Sequence, residues 1–192
     1  MRLGRSSGDK IEAHPISRTE TNDTFDVAVF ETSKLEVSAH AWSLDGMLLG
    51  APMLTAGFPH ALDVEMKTVT IRVFRGHIVA ATRSANARAV PAVYELSFQC
   101  PRGLSGAALL LDDTYPFLNV GMVIGNATVE MPVLRSRERD GNQVIDHMDV
   151  MHLGIALPAQ SISEIRFDLL GGTVQDHLRR HGLLTQARAN SR

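Results

Sequence analysis

Cysteine is nearly missing from this chain: of 192 residues, only Cys100 carries a thiol. No intrachain disulfide can form, so the fold must rest on its core and not on the bridges that staple many small secreted domains, and a reducing, cytoplasmic setting is the expectation. An excess of either charge is missing too. The 19 Lys and Arg against 21 Asp and Glu leave a net charge of -2, and the pI lies near 6.4. With the arginines scattered, there is no basic field to hold a phosphate backbone, and nucleic acid is not an expected partner. No apolar run approaches the roughly 18 to 20 residues that span a bilayer, and the opening MRLGRSSGDK holds no apolar stretch of signal-peptide length, so no membrane partner is expected. Repeats and low-complexity tracts do not occur.

What is present is enough apolar material, 44% of positions, to bury a core. It falls in short β-branched runs punctuated by Gly, Pro, Asn and Asp. The expected strands are Lys10 to Ile16, Phe25 to Phe30, Leu35 to Ala41, Met47 to Ala56, Thr68 to Phe74, Ile78 to Thr82, Ala92 to Phe98, Ala107 to Leu111, Asn119 to Ile124 and Met151 to Ala156. Short strands at such spacing predict a mostly β fold, a sandwich or barrel, and not alternating βαβ units. Near the C-terminus the character changes. Ser161 with Glu164 predicts a capped helix, and Thr173 to His181 carries helix formers up to Gly182. Beyond Leu184 no apolar periodicity remains, so a frayed tail is expected.

The most informative segment is Gly103-Leu104-Ser105-Gly106, followed by the apolar Ala107 to Leu110. Glycine on both sides of a serine permits backbone angles closed to other residues, so the N–H groups of Gly103 and Ser105 can converge as an oxyanion hole. Taken alone, a G-x-S-G is also what an ordinary loop serine beside a strand looks like. An α/β-hydrolase nucleophile elbow is disfavoured, because Ala107 stands where that motif needs glycine. A second segment, Thr24-Phe25-Asp26-Val27-Ala28-Val29-Phe30, brings one carboxylate to the head of an apolar run. Such a group is costly to bury without hydrogen bonds, and orienting a histidine would supply them. A strand-edge aspartate facing water fits the segment equally well.

Taken together and in order, these segments resemble the trypsin-like (chymotrypsin-fold) serine peptidases, in which an aspartate opens a D-[IVL]-A-[LV] strand and a G-x-S-G turn brings the nucleophile later. Met47 to His60 resembles the family's apolar strand ending in a G-[YF]-P turn. Phe74 to Val79 resembles the glycine-containing strand after it, and Val120 to Asn126 the strand after the nucleophile. The resemblance covers roughly Lys10 to Ala156. It implies a double β-barrel with an incomplete N-terminal barrel over residues 1–45, a C-terminal barrel bearing the nucleophile over 46–160, and a helix and tail over 161–192. It implies Ser105 and Asp26 as catalytic residues and Gly103 and Ser105 as the oxyanion hole. Gln99, Ile124, Gly125 and Asn126 would be substrate-binding residues for a peptide or protein, with Gln99 arguing against a strict preference for basic side chains. No cofactor and no metal are implied. Leu104 and Ala107-Ala108 depart from the residues the family often places there.

The family's general base is a histidine roughly 45 residues before the aspartate, yet only 25 residues precede Asp26. His14 among them lacks the T-A-x-H context. His40, His60, His77, His147, His152, His177 and His181 do not occupy the family's place in chain order, although a triad is defined by geometry and not by order. His147 and His152 with Asp146 lack further ligands for a metal and read as solvent-facing residues. The expectation is therefore a fragment of a longer peptidase, or one read from an internal start, with little turnover of its own. The rivals are a catalytically silent relative that binds a peptide or protein partner in the same cleft, and an unrelated β domain whose G-x-S-G is only a turn.

Overall fold

A computed structural model describes residues 2–7, 10–32, 39–59, 70–82, 92–137 and 144–185. The first three strands, β1 (Arg2–Ser7), β2 (Lys10–Asn22) and β3 (Val27–Thr32), form an antiparallel sheet in that order. After the short β4 (Trp42–Ser43) come β5 (Pro52–Gly57), β6 (Arg72–Thr82), β7 (Val93–Leu96), β8 (Ala108–Leu111), β9 (Leu118–Arg137) and β10 (Val144–Pro158).

These last six close on themselves. β5 pairs with β6 and β8, β6 with β7, β7 with β10, β10 with β9, and β9 with β8, every pair antiparallel. Closure leaves the barrel ladder without an edge. A ring of six strands is narrow enough for side chains to fill, and Met53, Ile78, Leu96, Leu109, Val120, Val123 and Ala156 do so. Polar groups inside are satisfied: the Thr55 hydroxyl donates to Ala108 O at 2.8 Å, and the Tyr94 hydroxyl accepts from Met47 N at 3.0 Å.

Around this ring, β7 and β8 stand diametrically opposite each other, separated on one side by β6 and β5 and on the other by β10 and β9. The connection between them, residues 97–107, therefore has to traverse one mouth of the barrel. Ser105 is carried on that crossing.

The chain then leaves the barrel through α1 (Ala159–Ser163), β11 (Arg166–Phe167), β12 (Gly172–Thr173), α2 (Val174–Arg180) and β13 (Leu184–Thr185), which adds in parallel to β4. A second apolar core forms here. Val27 of the β2–β3 hairpin packs with Leu157, Ile162, Ile165, Phe167, Val174 and Leu178. The Glu20 carboxylate joins the hairpin to the same region, accepting the N–H groups of Asp168 at 3.0 Å and Leu169 at 2.8 Å.

Several boundaries differ from those expected. α1 starts at Ala159 after Pro158, not at Ser161, and no side chain caps it; proline pre-sets the backbone angle for a helix start. The strands expected at Thr68 to Phe74 and Ile78 to Thr82 are joined in one, β6, which carries Gly76 and a register shift between Ile78 and Ala80. β9 and β10 run well past the expected Ile124 and Met151 as a paired ribbon. The helix expected from Thr173 is present, with a capping box between Thr173 and Asp176. The strand expected at Leu35 to Ala41 lies largely outside the described residues, as does the tail from 186 onward. No described helix is long and apolar enough to cross a membrane.

Candidate active site

Two tight turns follow one another on the crossing segment. Leu104 N donates to Pro101 O at 3.0 Å and Ala107 N to Leu104 O at 3.0 Å. Each turn has a glycine in third position with positive φ, Gly103 at 96° and Gly106 at 88°, whereas Arg102 and Ser105 keep negative φ. This is the type II pattern, which needs glycine at that position. Leu104, shared by both turns, is fully buried among the barrel side chains. A Cβ added at Gly57 would come within 2.8 Å of its Cδ1. An apolar residue next to the serine thus pins the loop from below and leaves Ser105 exposed above the mouth.

The hydrogen bonds of this loop divide sharply. Gly106 N donates to Val123 O at 2.8 Å, and Val123 N returns a bond to Ala107 O at 2.9 Å, fixing the second turn against β9. The amides of Leu104, Gly106 and Ala107 are all engaged. Those of Gly103 and Ser105 make no hydrogen bond among the described residues. The Ser105 hydroxyl donates to Ile124 O at 3.2 Å. Beside it lies an open depression of about 530 Å³, whose far wall is Ala56, Gly57 and Phe58 from the end of β5, a size suited to a ligand group.

Among the expected substrate residues, Gln99 is exposed and Ile124 supplies the carbonyl bonded by Ser105. Gly125 pairs with Ile155 of β10. Asn126 is engaged with the protein itself: its Oδ1 accepts from Cys100 N at 2.7 Å and its Nδ2 donates to Cys100 O at 2.8 Å. Cys100 is buried, and burial pushes its thiol up to about 11, so it stays protonated and is no rival nucleophile near neutral pH.

Asp26 is the exposed last residue of the turn between β2 and β3. Its φ of 52° is the only positive value at a non-glycine residue among the described residues, a conformation that aspartate tolerates better than most side chains. The backbone of the turn thereby gives Asp26 a local reason to be there. No hydrogen bond or ion pair joins it to another described residue.

Of the histidines with described side chains, none hydrogen-bonds to Ser105. His77 Nδ1 lies 3.4 Å from Ser97 Oγ and His152 Nδ1 3.4 Å from Thr128 Oγ1, while His177 and His181 pack ring on ring along α2. His60 and the side chains of His14 and His147 lie outside the described residues. No group of three or more potential metal ligands converges among the described residues.

Two features of the site escape sequence reasoning. The burial of Leu104 was signalled only by an apolar residue between two turn glycines, and the Asn126–Cys100 clasp joins segments far apart in sequence. No family model matches the chain, and no curated protein matches it in sequence.

Proposed function

We propose that residues 46–160 are the nucleophile-bearing barrel of a trypsin-like serine peptidase, with residues 1–45 belonging to its companion barrel. The observation that carries this reading is the pair of amides, Gly103 and Ser105, that make no hydrogen bond among the described residues, at an exposed serine in a loop where the amides of Leu104, Gly106 and Ala107 are all bonded. Unpaired N–H groups beside a serine hydroxyl are what a developing oxyanion needs.

In this mechanism the Ser105 oxygen adds to the peptide carbonyl and its proton passes to an imidazole. The carbonyl oxygen takes up negative charge against the N–H groups of Gly103 and Ser105. Collapse breaks the C–N bond, the imidazole returns the proton to the leaving amine, and water then hydrolyses the acyl-enzyme. Asp26 would orient that imidazole. No cofactor takes part.

The resting hydroxyl donates to Ile124 O and has no histidine partner among the described residues, which favours a second reading: a silent peptidase relative that binds a peptide in the same cleft. A fluorophosphonate probe separates the two when this chain is compared with a version extended upstream to include any encoded histidine. Labelling confined to the extended form, and abolished by Ser105→Ala, is the expected outcome. Absence of labelling in both, with both shown to be folded, would establish the binding module instead.

A further inference from the structure

We propose that the end of α2 binds a divalent transition-metal ion of the imidazole-seeking class, Zn²⁺, Ni²⁺ or Cu²⁺, between the rings of His177 and His181. The two residues stand four apart on one helical face, where His181 N donates to His177 O at 3.2 Å, and this spacing lets a helix present two imidazoles to one ion. Their ring centroids are 4.5 Å apart and their planes are tilted by 46°. An imidazole bonded at about 2.1 Å has its ring centre about 3.2 Å from the metal, so two rings at right angles around one ion stand about 4.5 Å apart. The tetrahedral angle of zinc asks for only about 0.7 Å more. The pair therefore already stands at chelating separation, and the exposed His181 ring is free to adjust.

The ring nitrogens are available. Neither imidazole hydrogen-bonds to a described residue, and neutral imidazole is the commonest side-chain ligand for such ions. The helix end that carries them is fixed in advance. Gly182, at φ 66°, closes a Schellman motif in which Gly182 N donates to Arg179 O at 3.1 Å and Leu183 N to Leu178 O at 2.9 Å. Leu178 is buried in the second core, so His177 and His181 are held in register before any ion arrives, which lowers the ordering cost of binding. The neighbouring cations are turned to other partners: Arg179 Nη1 lies 3.6 Å from Asp176 Oδ1, and Arg180 Nη2 donates to Leu170 O. Two protein ligands leave the remaining coordination positions to water, and the bound ion would clamp the last turn of α2.

The test needs no chemistry at Ser105, so it stands apart from the fluorophosphonate experiment. Zn²⁺ is titrated into the full chain at neutral pH while the imidazole signals of His177 and His181 are followed by NMR. We expect shifts in both rings that saturate together, are reversed by a chelator and are absent with Mg²⁺, an oxygen-seeking ion. In His181→Ala the affinity at His177 should fall by roughly tenfold or more, because the second ligand no longer acts within the same molecule. No shift in either ring, equal affinity in the variant, or an equal response to Mg²⁺ would overturn the assignment. His181→Asn, whose side chain suits a helix end, provides the same comparison if the alanine variant does not fold.

Discussion

The two apolar cores of this protein are held together by different means. The barrel core is enclosed by six strands whose backbone groups pair around a closed ring, so its integrity depends on an uncharged ladder. The second core gathers a hairpin, two short helices and a two-stranded β11–β12 pair, and side chains tie these pieces together. Glu20 binds two amides, and Asp176 forms the capping box with Thr173. One core is built from repeated backbone bonds, the other from a few irreplaceable side chains.

The largest contrast should come from Phe167→Ala. Phe167 is 1% exposed in the second core, and truncation of a buried phenylalanine costs about 3–5 kcal/mol. Hydrogen exchange should accelerate in α2 and in the β2–β3 hairpin while the amides of β5 and β8 keep their protection. Uniform acceleration would show that the two cores melt as one unit.

Leu104→Ala removes the barrel's plug beneath the Ser105 loop and should cost about 2–5 kcal/mol in urea unfolding. The loss should also unpin the two turns, so the amides of Gly106 and Ala107 should exchange faster than those of β9. Protection of these amides at the parent level would show that the glycine turns hold without their anchor.

The cores should also respond to opposite ends of the pH scale. Glu20 is held below its ordinary value by the N–H groups of Leu169 and Asp168, and Asp176 by the Thr173 hydroxyl and then its N–H. His177 is lowered by burial and then by His181 and Arg180. All three favour the deprotonated form when folded, so their contribution is present at neutral pH. It declines as pH falls below 6.5 for His177, and further below 4.5 and 3.8 for the two carboxylates. Cys100 in the barrel behaves in reverse: raised by burial to about 11 from 9.0, its contribution is full below pH 9 and fades as pH climbs through 11. A pH series of near-ultraviolet and exchange measurements should therefore show α2 loosening first in acid and the Cys100 segment first in alkali.

The smallest effect is expected from Thr173→Ala, which deletes the cap of α2 and should cost about 0.5–2 kcal/mol, read as a lowered melting temperature with the barrel unaltered.

The mostly β character and the barrel strands were legible because apolar, β-branched runs interrupted by turn residues follow from local chemistry. Ser105 was legible as a turn residue for the same reason, since glycines at 103 and 106 are demanded by positive φ. The start of α1 was misplaced because Pro158, not Ser161, sets it. The length of the β9–β10 ribbon depends on long-range pairing; Ala127, Val129, Met131 and Val133 do alternate with Thr128, Glu130 and Pro132, but a proline within such a run argues against a strand interior. The engagement of Asn126 with Cys100 depends on the path of the crossing segment, a property of the closed ring that no local pattern encodes.

That path also governs when the Ser105 turn can settle. β7 and β8 have no common neighbour in the ring, and the segment between them is held at its start by His77 of β6 and further on by Val123 and Asn126 of β9 and Gly154 of β10. Because β9 follows it in the chain, the turn that carries Ser105 gains its bonds to Val123 and Ile124 only once that strand has been made. A nascent or half-folded chain would consequently leave the Ser105 turn unfixed, and that turn would take its final shape in the same event that shuts the barrel.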